Sequence, residues 1–380
     1  MLAALAPLVA AQTSQPAPAA AAATAAVQAP VPMHVLQKEF MVPVPKAFPG
    51  GLDAIEMYFT TPGRHPLVVL THGTAPDAEQ RAHVTPWGFE SQALWFARRG
   101  YVVIGVVRSG YGRSGGKQDS TNGGCTPGRG SFDEAGTASA DDLRAVIKIA
   151  QSLPEVDPNT VVSAGVSTGG FAQVALAANP PPGLKAAINF AGGRGGDGHE
   201  NNCNLSGVVD AFRIFGKAAH QHGDLPMLWI YSENDHWFPP TMAQQFDAAF
   251  TKAGGVNRFV MAPPDGTDGH HLFGHVSAWS DTVQAFLKAQ NLLPLGDLVL
   301  PEPEPPNLPM PAGLKDTDAA EWHRFLMAPP LKTLVIDESG KLWISGAGFN
   351  QALADEAAKD HCKKGGGKSC TIVARTPGGK

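Results

Sequence analysis

The sequence has no run of eighteen apolar residues, so no segment reads as a membrane span. It has no excess of positive charge either. Lys and Arg number 29 against 34 Asp and Glu, a formal net charge of −5, which argues against nucleic acid as a partner. Charged residues are sparse at 17% and hydrophobic ones make up 43%, a globular composition; 380 residues give room for one large core and something smaller. The N-terminus lacks the Lys or Arg that usually opens an export signal. Even so, MLAALAPLVAAQ is a short apolar run ending in Val9-Ala10-Ala11, compatible with small-residue cleavage before Gln12, and residues 1–11 are read as a signal peptide. The alternative is a disordered alanine-rich leader.

Cysteine is scarce too. The four are Cys125, Cys203, Cys362 and Cys370, and an even count fits two disulfides with three pairings open. Cys362 and Cys370 flank the turn-rich KKGGGKS, while Cys125 (NGGCTPG) and Cys203 (ENNCNLSG) sit in glycine- and asparagine-rich loops. The preferred pairing is therefore 125 with 203 and 362 with 370. It agrees with an oxidising compartment, periplasmic or secreted; four free thiols in a cytoplasmic protein are the alternative.

Residues 12–33 are rich in alanine and proline, without hydrophobic periodicity, and read as a flexible leader. From about residue 35 short apolar runs alternate with helical patterns. HVLQKEFMVPV, AIEMYFT and PLVVLTHG read as strands, FESQALWFARRG as a helix, and YVVIGVV as a buried strand. Residues 138–153 have helical period, VVSAG is a strand, and FAQVALAA is a helix. AAINFAGG and PMLWIYSEND are further strands; TMAQQFDAAFTKAGG and VSAWSDTVQAFLKAQ are helices. This alternation predicts a mainly parallel, doubly wound α/β sheet over residues 34–291. Residues 292–315 form a connector, with seven prolines between 292 and 313. Residues 316–380 then read as a small α+β unit of ββαβ type, with a hairpin turning at Glu338-Ser339-Gly340. Its core is marginal, and a Cys362–Cys370 bridge would help it. Trp322 and Trp343 in this unit read as packing residues rather than ligand-stacking ones.

Glycine is plentiful, at 43 residues, and three glycines flank a serine where a helix should begin: AGVSTGGFA, residues 164–172. Glycine inside a helix costs about 1 kcal/mol relative to alanine, so something else is gained. G-x-S-x-G occurs twice, around Ser167 and around Ser114 in RSGYGRSGGKQ. In a nucleophile elbow the serine occupies a strained strand-to-helix turn whose neighbours two positions away must be small. Ser167 has the strand, the glycines and the helix. Ser114 is followed by KQDSTNGGCTPG, which cannot be a helix, so Ser167 is the candidate nucleophile.

A serine hydroxyl needs a base and the base needs an orienting carboxylate. In doubly wound hydrolases these follow the serine in the order acid, then histidine. Asp235 lies just past the strand PMLWIYSEND and is the candidate acid, with Glu233 as its substitute. FVMAPPDGTDGHHLFGHVSAW offers His270, His271 and His275; His270, directly after Asp268-Gly269, is best placed and His271 is second. The HHxxxH spacing fits no familiar catalytic zinc signature, so neither metal nor cofactor is expected. Oxyanion donors would be the amide of Thr168, just after the serine, and that of Thr74 in Thr71-His72-Gly73-Thr74, where Gly73 lets the backbone turn. His72 precedes the elbow and reads as a structural hydrogen-bonding residue.

With LTHGT, RSGYGRSGG, GVSTGG, YSENDHWFPP and DGHHLF in this order, residues 35 to 290 resemble the α/β-hydrolase superfamily. More narrowly the chain looks like exported bacterial proteins of the dienelactone-hydrolase-like group. The resemblance implies a triad of Ser167, Asp235 and His270. It also shows one departure: dienelactone hydrolases use cysteine where this chain has serine, which favours an ester or amide over a dienelactone. The C-terminal unit is similar to small Cys-containing domains appended to exported bacterial proteins, and a cell-envelope ligand for it is left open.

The expectation is a serine hydrolase of small-molecule carboxylic esters working through an acyl-enzyme. Loops 112–132 and 192–215, if bridged by Cys125 and Cys203, would make a fixed cap that sets specificity. The competing readings are a prolyl-oligopeptidase-like peptidase, an acyltransferase or perhydrolase with the same triad, and a non-catalytic binding protein that uses the C-terminal unit.

Overall fold

The computed structural model describes residues 35 to 376, apart from residue 76 and the stretches 119–122, 127–129, 305–306, 329–330 and 346–350. The signal-peptide and leader readings, residues 1–33, lie outside the described residues. The chain runs β1 (Val35–Val42), β2 (Leu52–Phe59), β3 (His65–Thr71), α1 (Ala78–Ala82), α2 (Glu90–Ala97) and β4 (Val102–Val106). It continues through α3 (Phe132–Ala150), β5 (Val156–Val166), α4 (Thr168–Ala177), β6 (Leu184–Phe190), α5 (Leu205–Gln221) and β7 (Met227–Ser232). Next come α6 (Pro240–Lys252), β8 (Arg258–Ala262) and α7 (Val276–Ala289).

These eight strands form one sheet in the order β1-β2-β4-β3-β5-β6-β7-β8. β2 pairs antiparallel with both β1 and β4; every pair from β4 across to β8 is parallel. The central strands are sealed on both faces, which is why VVIGV and PLVVL read as unbroken apolar runs rather than alternating ones. β3→β4 steps one way along the sheet and β4→β5 steps back across it. With right-handed crossovers, that reversal puts α2 and α3 on opposite faces. α7 joins α2 on its face, with Trp95 against Trp279 at 5.0 Å between ring centres and Arg99 donating to Gln284 Oε1. On the other face α3 starts at a capping box, Ser131 with Glu134, six residues ahead of the helical pattern read from sequence. The reversal also opens a crevice at the carboxyl ends of β3 and β5.

Two elements correct the sequence reading. Residues 192–215 are not all loop, because α5 begins at Leu205, where the Asn204 side chain accepts the Gly207 amide. Val208, Ala211, Phe212, Phe215 and Ala219 then bury one helical stripe. The run FVMA is strand β8, pairing with β7, rather than the start of the histidine loop.

Beyond the connector stand α8 (Ala319–Met327), β9 (Thr333–Asp337), β10 (Leu342–Ser345), α9 (Gln351–Lys364) and β11 (Cys370–Arg375). The strands make a separate antiparallel sheet in the order β10-β9-β11. Trp322 is buried with Phe325, Leu326, Leu334 and Leu342, while Trp343 packs by Cys362, Ala358 and Val335. Among the described residues no helix is long and apolar enough to cross a membrane.

Two disulfides are present, Cys125–Cys203 and Cys362–Cys370, with Cα separations of 5.3 and 6.2 Å. They close very different loops, 78 and 8 residues in sequence separation. Loop-closure entropy alone makes the first worth about 4.5 kcal/mol and the second about 2.5. Thermal unfolding of Cys125→Ser/Cys203→Ser beside Cys362→Ser/Cys370→Ser should therefore show the larger loss of stability in the first, by about 2 kcal/mol.

Candidate active site

Four strand ends supply the site. β3 leads into His72–Ala75, β5 into Ser167, β7 into Asp235, and β8 into the single-turn helix Gly269–Gly274 that carries His270. Ser167 caps α4 with φ 56° and ψ −123°, a conformation that costs a residue with a Cβ about 1–3 kcal/mol. Its amide donates to Phe190 O at 2.9 Å, and its carbonyl accepts from Phe171 and Gly193. Glycines make the turn sterically possible. A Cβ on Gly165 would lie 2.5 Å from Gly169 O, and one on Gly169 would lie 2.5 Å from His72 O. A Cβ on Gly73 would stand 2.7 Å from the Ser167 Cβ, so the Gly73 backbone passes directly against the serine.

Ser114, the other G-x-S-x-G serine, is a structural residue. It is buried, accepts the Asp53 amide at 2.9 Å and donates to Val107 O at 2.8 Å.

Asp235 and His270 are both buried, and His270 Nδ1 lies 3.1 Å from each Asp235 carboxylate oxygen. Asp235 Oδ1 also accepts the amides of Trp237 and Phe238, each at 2.8 Å, which fixes the carboxylate. The proton on Nδ1 points at the acid, leaving Nε2 as the basic nitrogen. The ring is held between Trp237, stacked at 5.4 Å, and Phe238, edge-on at 5.4 Å. Asp268 sets the approach of the segment, its Oδ1 accepting the amides of His270 and His236.

The alternates are set differently. Glu233 is exposed, and its amide donates to Ala262 O. His271 is exposed at the rim, 6.0 Å from the His270 ring centre, and His275 pairs with Asp265. Among the described residues no group of three or more His, Cys, Asp or Glu is arranged to hold a metal ion.

Ser167, Thr168, Thr74 and His270 line one cavity of about 770 Å³. Its remaining walls come from residues 80–92, the Gly193–Gly196 strip, Trp237, Phe238 and the segment 271–275. The cap read from sequence is corrected in part. Gly193–Gly196 of the second loop line the cavity, but none of the described residues of 112–132 does; through the disulfide that loop braces the Gly193–Gly196 wall instead. Cys125 bonds Cys203, whose amide donates to Gly195 O at 2.9 Å, and Asn202 Nδ2 donates to Arg194 O at 2.7 Å.

Sequence reasoning did not single out Arg108. This buried arginine donates from Nη1 to Thr168 Oγ1 at 2.6 Å, and its amide donates to His72 Nε2 at 2.9 Å. Burial, helped by the Arg108 charge, lowers the His72 pKa to about 3. The ring is neutral, with its proton on Nδ1. The one signal for Arg108 was a cation placed just past an apolar strand.

Gly165→Ala should lower the unfolding free energy by about 1–3 kcal/mol, because its Cβ meets backbone that cannot step aside. Gly88→Ala, where nothing lies within 4 Å of the added Cβ, is the comparison expected to change the melting temperature little.

The peptidase S15 family, X-Pro dipeptidyl-peptidase, matches residues 64–211. The comparison with curated proteins found no match. Among solved structures, one named for a dienelactone hydrolase of Klebsiella pneumoniae is 19% identical, covering 68% of this chain and 99% of that one at a TM-score of 0.46. An esterase of Pyrococcus furiosus is 13% identical, with 68% and 93% covered and a TM-score of 0.44. Dipeptidyl peptidase 4 of Porphyromonas gingivalis is 17% identical, with 66% and 35% covered and a TM-score of 0.45. The strand order, the strained serine turn between β5 and α4, and the family match across that region together show that this chain has the α/β-hydrolase fold.

Proposed function

We propose that the chain is a serine hydrolase of carboxylic esters that works through an acyl-enzyme, with Ser167, His270 and Asp235 as its triad. The observation that carries this reading is the meeting of a strained Ser167 and an Asp235-anchored His270 in one cavity. Ser167 Oγ attacks the ester carbonyl carbon and His270 Nε2 takes its proton. Asp235 holds the ring and offsets the imidazolium charge. The amides of Thr74 and Thr168 donate to the oxyanion, which is worth about 3 kcal/mol for each donor. Collapse expels the alcohol with the proton from His270, and a water molecule, deprotonated by the same nitrogen, releases the acid and restores the serine.

The S15 match makes a peptidase the second reading. Releasing a dipeptide from a chain end calls for a seat for an ammonium group. The residues lining the cavity are mostly apolar, aromatic, hydroxyl, amide and imidazole, with no carboxylate among the described residues, and the Arg194 guanidinium is turned to Ala135 O and Ser139 Oγ. That wall suits an uncharged acyl group, which favours esters. The two disulfides support an oxidising compartment as the place of action.

Steady-state hydrolysis of p-nitrophenyl acyl esters, beside an Xaa-Pro p-nitroanilide, tests the assignment. Wild type should turn over the esters with kcat/KM well above that for the anilide. Ser167→Ala should lose kcat by about 10⁴-fold or more with KM within a few-fold. Anilide turnover exceeding ester turnover would favour the peptidase. No turnover of either by a folded, disulfide-bonded chain would favour a binding protein.

A further inference from the structure

The cluster that links the two proposed oxyanion amides lies outside the triad. In a trans peptide the C=O of one residue and the N–H of the next point in opposite directions. The Thr74 amide shares its peptide unit with the Gly73 carbonyl, so whatever holds that carbonyl aims that amide. The His72 ring is what holds it: Nδ1 donates to Gly73 O at 2.7 Å. The ring cannot turn over without losing both its bonds, because Nε2 accepts the Arg108 amide and an amide can only donate. Tyr111 packs edge-on against the ring at 4.9 Å between centres. The aimed peptide is also the one that passes against Ser167, as the 2.7 Å approach to a Gly73 Cβ shows.

The second amide is tied to the same point. Arg108 Nη1 donates to Thr168 Oγ1 at 2.6 Å, and the Thr168 and Thr74 hydroxyls are hydrogen-bonded at 3.0 Å. Arg108 thus reaches one amide-bearing residue through its main chain and His72, and the other through its guanidinium.

We propose that His72 and Arg108 are positioning residues that hold the Thr74 and Thr168 amides in register as one oxyanion-binding unit. This rests on the ester-hydrolase reading of Ser167. Neither residue touches the substrate's reacting atoms; each acts through the peptide or hydroxyl it holds. Burial and the Arg108 charge lower the His72 pKa, which favours the neutral ring and keeps the Nδ1 donor and the Nε2 acceptor distinct.

Replacement of His72 separates aim from packing, because the two amide side chains each mimic one ring nitrogen. Asn places its NH₂ near Nδ1 and can donate to Gly73 O; Gln reaches the Nε2 position and can only accept from Arg108. On a p-nitrophenyl ester, His72→Leu should lose kcat by about 10²-fold, the effect of one misplaced oxyanion donor, with KM within about threefold. His72→Asn should recover at least about tenfold of that loss, and His72→Gln should not. If His72→Leu does not fold, the Asn and Gln variants carry the comparison between themselves. Equal kcat for Asn and Gln, or a rise in KM in place of the fall in kcat, would overturn the inference. Wild type measured in parallel keeps the two claims apart: a wild type without ester turnover defeats the hydrolase reading, whereas an active wild type with unaffected variants defeats only this one.

Discussion

The backbone at Ser167, at φ 56° and ψ −123°, is a conformation that the chain adopts only because its surroundings leave no alternative. β5 enters the turn through the buried residues Val161–Gly165 and α4 leaves it buried, so the turn must be completed within a single residue. The space for that comes from removing side chains. Gly165 and Gly169 close on one another across the turn, and Gly73 brings the neighbouring strand's loop against the serine itself. Each glycine sacrifices backbone stability; at Gly165 and Gly169 a Cβ would collide with main chain, and at Gly73 with the Ser167 side chain.

The sheet topology then does the collecting. In a mainly parallel sheet all carboxyl ends lie on one edge, so residues 72, 167, 235 and 270, far apart in sequence, emerge beside one another. The rigid parts of the site are fixed by main-chain hydrogen bonds. The Asp235 carboxylate sits on two amides, and the His270 segment is set by Asp268. The wall at Gly193–Gly196 is held by the Gly193 amide on Ser167 O and the Arg194 side chain on α3, and the Cys125–Cys203 bridge and Asn202 add bracing. A covalent tie placed behind a glycine-rich wall fixes its position while leaving the wall thin enough to keep the cavity open.

Much of this could be read in the sequence because it depends on local chemistry. The G-x-S-x-G between an apolar strand and a helix, the carboxylate just after PMLWIYS, and the histidine after DG are short-range signals. The choice of Ser167 over Ser114 followed from what comes after each. What escaped was of two kinds. α5 begins in a stretch whose glycines and asparagines look like loop, although its buried stripe from Val208 to Ala219 has helical spacing; the cap at Asn204 marks the start and was passed over. β8 is five residues long, with a partly covered face, and merged into the loop beyond it. Arg108 is a different case. Its partners Thr168 and Ser139 lie 60 and 31 residues away, so no local pattern reports them.

The most direct measurement is covalent labelling with a fluorophosphonate followed by peptide mapping. The account predicts one phosphonyl group per chain, attached to Ser167 and absent from Ser114 or any other serine. It predicts too that Ser167→Ala takes up no label under the same conditions. Stoichiometric label on another residue, or a folded and disulfide-bonded wild type that takes up none, would contradict the claim that this strained turn holds an activated nucleophile.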